Sequence, residues 1–273
     1  MSGICGIYAP ANPGLATLRN LQRMLDAIEH RGGYERQVHI RPESGIALGA
    51  ALSSRFGMSE EPARHGWHAD GRRVVAIDGA IEGPADFESG GPPIAGDLGA
   101  GTGVPERLRG SFALATWDAH SRELRLVRDS LGGRPLYYAP LPTAGAIAFS
   151  SEVKGLLALP WMRRRLDPAA LAAFLCFGYV PAPLCIFDGI SKVFPGEEVR
   201  FDRDTALSRR SFARVSYPEP QDCPIEEVAL QVRDRVVAAV ERQIEESSRL
   251  GVLFSGGVDS TIVLGILKLL GVP

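Results

Sequence analysis

Six residues near the end of the chain, Ser255-Gly256-Gly257-Val258-Asp259-Ser260, have the types and spacing that hold a phosphate. They follow the apolar run Gly251-Val252-Leu253-Phe254 and lead into Thr261-Ile262-Val263-Leu264-Gly265-Ile266-Leu267. Read as strand, turn and helix, this run lets glycine backbone approach an anion with no Cβ in the way. The first helical turn then adds orphan N–H donors and the positive end of its dipole. Ser255, Ser260 and Thr261 can add hydroxyl donors. No Gly-Lys-Ser/Thr follows the glycines, so this is not the lysine-bearing kind of phosphate loop. The chemistry indicated is nucleotide binding.

The elements that must position this loop are set by a chain of 273 residues, 45% hydrophobic and 23% charged, enough for one large domain or two modest ones with a buried core. A net charge of −2 from 30 basic and 32 acidic residues gives no footprint for nucleic acid or an anionic membrane. No apolar stretch approaches the ~20 residues that cross a bilayer, and no export signal opens the chain. Cytoplasmic residence is the expectation. Cys5, Cys176, Cys185 and Cys223 are too scattered for a disulfide framework or a zinc site and read as small apolar side chains.

Residues 1 to about 155 alternate short β-type runs (4–8, 74–77, 112–117, 123–127, 136–138 and 146–149) with turn signals, a pattern that favours antiparallel sheet. Within this zone residues 15–28 read as a helix with Leu18, Leu21, Leu25 and Ile28 on one face. Residues 83–105 are dense in Gly and Pro and read as a loop. Asp167-Pro168 starts a helix that runs to Phe177 and is stopped by residues 179–183. Residues 203–221 are polar and irregular and read as an interdomain linker. A helix then begins near Asp222, with Pro224 in its first turn and a buried face of Ile225, Val228, Val232, Val236, Ala239 and Ile244. The histidines show no ligand spacing, and Arg163-Arg164-Arg165 reads as a solvated face.

The loop resembles the pyrophosphate loop of the asparagine synthetase and adenylating amide-ligase family, and further stretches match in family order. These are Gly3-Ile4-Cys5-Gly6-Ile7, His30-Arg31-Gly32, residues 107–118, Arg128-Asp129, residues 133–138, residues 149–154, Phe177 to Pro183 and Phe194-Pro195-Gly196-Glu197. The resemblance covers nearly the whole chain. It implies an α+β fold: an Ntn-hydrolase-like αββα sandwich of antiparallel sheets forming a class II glutamine amidotransferase-like domain over 1–202, a linker over 203–221, and over 222–273 the start of a Rossmann-like ATP-pyrophosphatase domain. It further implies ATP held by Leu253, Ser255, Gly256, Gly257, Val258, Asp259 and Ser260, with Mg²⁺, a carboxylate substrate such as aspartate, and a homodimer. In the family an N-terminal cysteine attacks the glutamine amide. Its own α-amino group is the base, and the released ammonia attacks an acyl-adenylate in the second domain.

Set against that pattern, the glutaminase half departs where chemistry is done. Ser2 stands at the nucleophile position, and serine is a poorer nucleophile at neutral pH than a partly ionised thiol. Cys5 lies in an adjacent strand position and lacks the free α-amine. The family's Asn-Gly oxyanion hole appears as Asp78-Gly79, a carboxylate in place of a donor. The substrate-clamping arginine falls at Ala51, with Arg55 the nearest substitute. The family's Gly-Asp-Thr-Glu type segment survives only as Gly96-Asp97-Leu98-Gly99, leaving Asp97 as its substrate-binding candidate.

These losses imply no glutamine hydrolysis. Relatives that close lactam or macrolactam rings, using an amine of the substrate, share such a loss. Residues 251–273 supply only the first strand and helix of a parallel sheet, which needs several strands. The expectation is therefore an N-terminal portion of an ATP-dependent amide-forming ligase, inactive by itself. The alternatives are a truncated gene product, a split enzyme completed by a second chain, or a non-catalytic scaffold for a separate synthetase subunit. A working Ser2 nucleophile with a substrate other than glutamine ranks last.

Overall fold

Side-chain alternation decides how the first strand sits. In β1 (Gly3–Tyr8) all six residues are buried: Ile4 and Tyr8 join one apolar cluster, Cys5 and Ile7 another, so the strand lies between two apolar layers. Gly6 keeps contact close, since a Cβ there would come 2.6 Å from the Phe149 ring. The computed structural model describes residues 2–33, 35–53, 66–82, 104–141, 145–204, 206–217, 219, 222–244 and 250–272. The chain forms two compact units, the first running to Val215 and the second covering Ser216–Pro273.

The first unit is built on two six-stranded antiparallel sheets. One holds β1, β2 (Glu35–Arg41), β3 (Ile46–Leu52), β8 (Tyr137–Pro140), β9 (Ile147–Ser150) and β10 (Ser191–Lys192) in the order β10-β8-β9-β1-β3-β2. The other holds β4 (Trp67–Ala69), β5 (Arg73–Glu82), β6 (Arg109–Asp118), β7 (Glu123–Arg128), β11 (Glu197–Phe201) and β12 (Leu207–Ser211) in the order β12-β11-β7-β6-β5-β4. Trp117, Phe149, Phe201, Tyr8 and Leu126 fill the space between the sheets. On the far side of the first sheet, α1 (Leu18–Ala27) and α3 (Val153–Leu157) bury Leu21, Met24, Leu25 and Leu156. On the far side of the second, Val75, Ile77, Leu114 and Val127 form a smaller cluster, and α2 (Val104–Arg107) is a single turn. The fold is an α+β sandwich of antiparallel sheets, as expected.

Several expectations shift in detail. Thr17 caps α1 by accepting from Asn20 N–H, and Leu18, expected on the buried face, is 47% exposed while Met24 takes its place. The helix α4 (Pro168–Phe177) is capped by Asp167, whose carboxylate accepts from Ala169 and Ala170 N–H, and it ends at Gly178 in the left-handed conformation, ahead of the prolines. The span expected to be a linker contains β12, paired with β11 from Glu197↔Ser211 to Phe201↔Leu207. As an edge strand with exposed Ser and Arg side chains it has the polarity of a linker and the backbone of a strand. Most of the Gly- and Pro-rich run 83–105 lies outside the described residues.

The second unit consists, among the described residues, of α5 (Ile225–Gln243) and α6 (Val258–Leu269). Pro224 is the N-cap of α5, not part of its first turn, and none of its residues is buried. Residues 251–254, expected as a strand, form no ladder. A strand exists by pairing, and two helices offer it no edge.

Candidate functional site

On β5, Val74 and Ala76 face the inter-sheet core, and two residues further along the same face stands Asp78, fully buried. Its partner comes from the opposite sheet's helix layer: Arg31, in the short 3₁₀ turn after α1. Arg31 Nη2 donates to Asp78 Oδ2 at 2.7 Å, Nε donates to the Ser2 carbonyl at 2.9 Å, and Nη1 donates to Glu152 Oε1 at 3.1 Å. One guanidinium, 9% exposed, thus spans the residue before β1, the middle of β5 and the start of α3. His30 Nε2 lies 2.9 Å from Glu152 Oε1, and Lys154 Nζ lies 3.0 Å from Oε2. Ser151 Oγ accepts from Ile4 N–H at 3.0 Å and completes the tie to β1.

The electrostatics follow from burial and from these partners. Burial lifts the Asp78 carboxyl above the ordinary carboxylate range, and the Arg31 guanidinium pulls it back down. Burial also pushes Glu152 up, but hydrogen bonds from His30, Lys154 and Arg31 overcome it and hold the carboxyl at about 2. The predicted oxyanion position is therefore filled by a carboxylate locked to a cation.

Gly79 follows with φ +110°, and a Cβ there would meet the Ser111 carbonyl oxygen at 2.1 Å, so only glycine fits. Ser2 and Asp78 are brought together through Arg31. Cys5 lies away from them, fully buried on the helix side of the first sheet, where burial pushes its thiol upward and keeps it protonated. Ala51 is buried opposite Gly3 in the β1–β3 ladder and carries nothing that could clamp a carboxylate. Asp97 and Arg55 lie outside the described residues. Arg31, Glu152 and Ser151 sit within stretches that match the family, yet no local pattern announces that Arg31 meets Asp78 and Glu152 across 47 and 121 residues of chain.

The second candidate, Ser255–Ser260, lies in the second unit. Gly256 has φ +78°, the turn that lets the chain enter α6. Gly257 is the N-cap and has no side-chain capping bond, so the first helical N–H groups keep their donors for a ligand. Ser255 Oγ and Ser260 Oγ lie 3.2 Å apart, and Ser260 and Thr261 hydroxyls donate to the Gly257 carbonyl at 3.0 and 2.8 Å. Leu253 is 98% exposed. Among the described residues no group of three or more His, Cys, Asp or Glu side chains is arranged to hold a metal ion.

Residues 98–212 match a family model described as a glutamine amidotransferase domain, and residues 231–271 match one described as asparagine synthase. The chain carries an asparagine synthetase-like glutamine amidotransferase domain. It is 34% identical over 176 residues to a putative glutamine-hydrolysing asparagine synthetase of Mycobacterium tuberculosis (strain ATCC 25618 / H37Rv), covering 61% of this chain and 26% of that protein. It is 26% identical over 162 residues to asparagine synthetase 1 of Bacillus subtilis (strain 168), covering 59% of this chain and 25% of the relative. In these matches the chain spans about a quarter of the relatives' length. A solved glutamine phosphoribosylpyrophosphate amidotransferase from B. subtilis aligns over 99% of this chain and 64% of its own, at 13% identity and a TM-score of 0.47. No helix among the described residues of this asparagine synthetase-like chain is long and apolar enough to cross a membrane.

Proposed function

We propose that this chain serves an ATP-dependent amide-forming synthetase whose amidotransferase-like domain no longer hydrolyses glutamine. The observation that carries the reading is Arg31, whose guanidinium joins Ser2 at the nucleophile position to Asp78 at the oxyanion position. Amide hydrolysis needs donors aimed at the oxygen where negative charge develops, and losing one such donor costs on the order of 3 kcal/mol. Here an acceptor stands at that point, and its charge is already answered by a side chain of the same domain. A Ser2 hydroxyl replaces the thiol, and Ala51 replaces the clamp.

In the reaction we assign to the completed synthetase, a carboxylate oxygen attacks the α-phosphorus of ATP and expels pyrophosphate, giving an acyl-adenylate. An amine or ammonia then attacks the acyl carbon, the C–N bond forms, and AMP leaves with the C–O electron pair. The contribution we assign to this chain is the pyrophosphate-facing loop: uncapped N–H groups at the start of α6 and the hydroxyls of Ser255 and Ser260. The described residues do not form a metal site by themselves, so Mg²⁺ would reach this loop on the nucleotide's phosphates. Four free cysteines suit a cytoplasmic setting.

The test is glutamate release from glutamine by the full chain. The expected result is no release above that of a Ser2→Ala variant; release that Ser2→Ala abolishes overturns the proposal. Supplied with the remainder of a synthetase domain, the chain should support AMP formation from a carboxylate and free ammonia. If it supports none with any amine, the scaffold reading takes its place.

A further inference from the structure

A shallow, open cleft of about 480 Å³ lies on the first unit beside the Arg31 network. Its walls divide by chemistry. Pro135, Val153, Leu157 and Phe187 supply an apolar side, and the last three also pack against the helix-layer core, which fixes their positions. The other side carries Arg31, Glu152, Lys154 and the Tyr137 phenol.

The charged side is unbalanced. Glu152 is the one carboxylate on the lining, and it already has three basic side chains on it: His30, Arg31 and Lys154. Arg31 is nearly buried and already donates to Asp78, Glu152 and the Ser2 carbonyl, whereas Lys154 is 51% exposed, with a three-donor ammonium on a flexible stem. An incoming cation would have to compete with three bases for Glu152. An incoming anion meets Lys154 directly, and the Tyr137 phenol on the same lining is a further hydrogen-bond donor.

We propose that this cleft binds a small carboxylate with an apolar or aromatic body, the carboxylate on Lys154 and the body against Phe187 and Leu157. The site does not depend on whether Ser2 and Asp78 hydrolyse glutamine, so a failure of either reading leaves the other standing.

The experiment is calorimetric titration of the full chain with 3-phenylpropionate, its neutral amide and 2-phenylethylamine. The carboxylate should bind at least tenfold more tightly than the amide or the amine. Lys154→Gln, at an exposed position that does not threaten folding, should reduce carboxylate binding about tenfold and leave amide binding unchanged. Phe187→Ala should weaken both. The proposal is overturned if amide or amine binds as well as the carboxylate, if Lys154→Gln has no effect, or if no probe binds at millimolar concentration.

Discussion

Arg31 and Asp78 meet almost out of water, at 9% and 0% exposure, while every residue from Ser255 to Asp259 is exposed. Both regions carry a short glycine-containing motif that, by resemblance, belongs to a chemical site. Their polar groups have opposite fates. In the first, the guanidinium pairs with two carboxylates and the Ser2 carbonyl, leaving Asp78 Oδ1 as the buried oxygen without a hydrogen bond. In the second, helix N–H groups face outward with no side chain capping them. Polar groups that satisfy each other hold a fold together, and polar groups left wanting partners in water are available to a ligand. The comparison teaches that residues standing at the positions of a catalytic site by resemblance can instead be employed in the fold; here they join the two sheets.

The largest effect should come from breaking that joint. Asp78→Ala leaves a nearly buried guanidinium without its principal partner, and such a deletion costs about 3–5 kcal/mol. Urea denaturation of the full chain should show this loss in the first unit, whereas Ser255→Ala should stay within about 0.5 kcal/mol. If Asp78→Ala costs less than about 1 kcal/mol, the pair is not what ties the sheets, and the contrast between the two regions fails.

A smaller effect, with a pH signature, belongs to Glu152. Its carboxyl is held at about 2 in the folded protein, below the roughly 4.3 of an unfolded glutamate. A depressed pKa means stability that is present above about 4.3 and lost as pH falls through 2, on the order of 2 kcal/mol in all. Glu152→Gln should therefore lower the urea midpoint at pH 7, and the gap to the unchanged protein should close between pH 5 and 2. A gap that stays constant over that window would mean that His30, Arg31 and Lys154 do not hold the charge.

What was legible beforehand follows the same division between local and distant. β1, β6 and β7 carry β-branched or large apolar residues in alternation and read as strands. β3, Ile46-Ala47-Leu48-Gly49-Ala50-Ala51-Leu52, is built of small residues, because a Cβ at Gly49 would already sit 3.0 Å from Leu25, so its composition hides a central strand. β12 is an edge, and its arginines look like linker. The cap at Asp167 was readable because a cap reaches only three residues, whereas Thr17 fell inside a helix expected from residue 15. The altered identities at Ser2, Asp78 and Ala51 were readable by resemblance. That Arg31 would occupy the gap between two of them was not, because nothing in a sequence window encodes a contact between a helix end and a strand of the other sheet.

The smallest effect tests the open region on its own terms. Gly256 has φ +78° and, among the described residues beyond its chain neighbours, no atom within 4 Å of where a Cβ would stand, so Gly256→Ala pays only for the left-handed backbone, about 1 kcal/mol. Because the turn feeds α6 directly, the cost should appear as reduced amide-exchange protection over 258–262, with the first unit's exchange unchanged. The same substitution should also weaken inorganic pyrophosphate binding measured by equilibrium dialysis, since a relaxed turn no longer aims the first N–H groups of α6 at one point. Weaker pyrophosphate binding with unchanged α6 protection would place the effect in the added methyl and not in the turn. Unchanged binding with lost protection would show that the helix start is not what holds the phosphate, and the region would then differ from the Ser2 pocket in exposure alone.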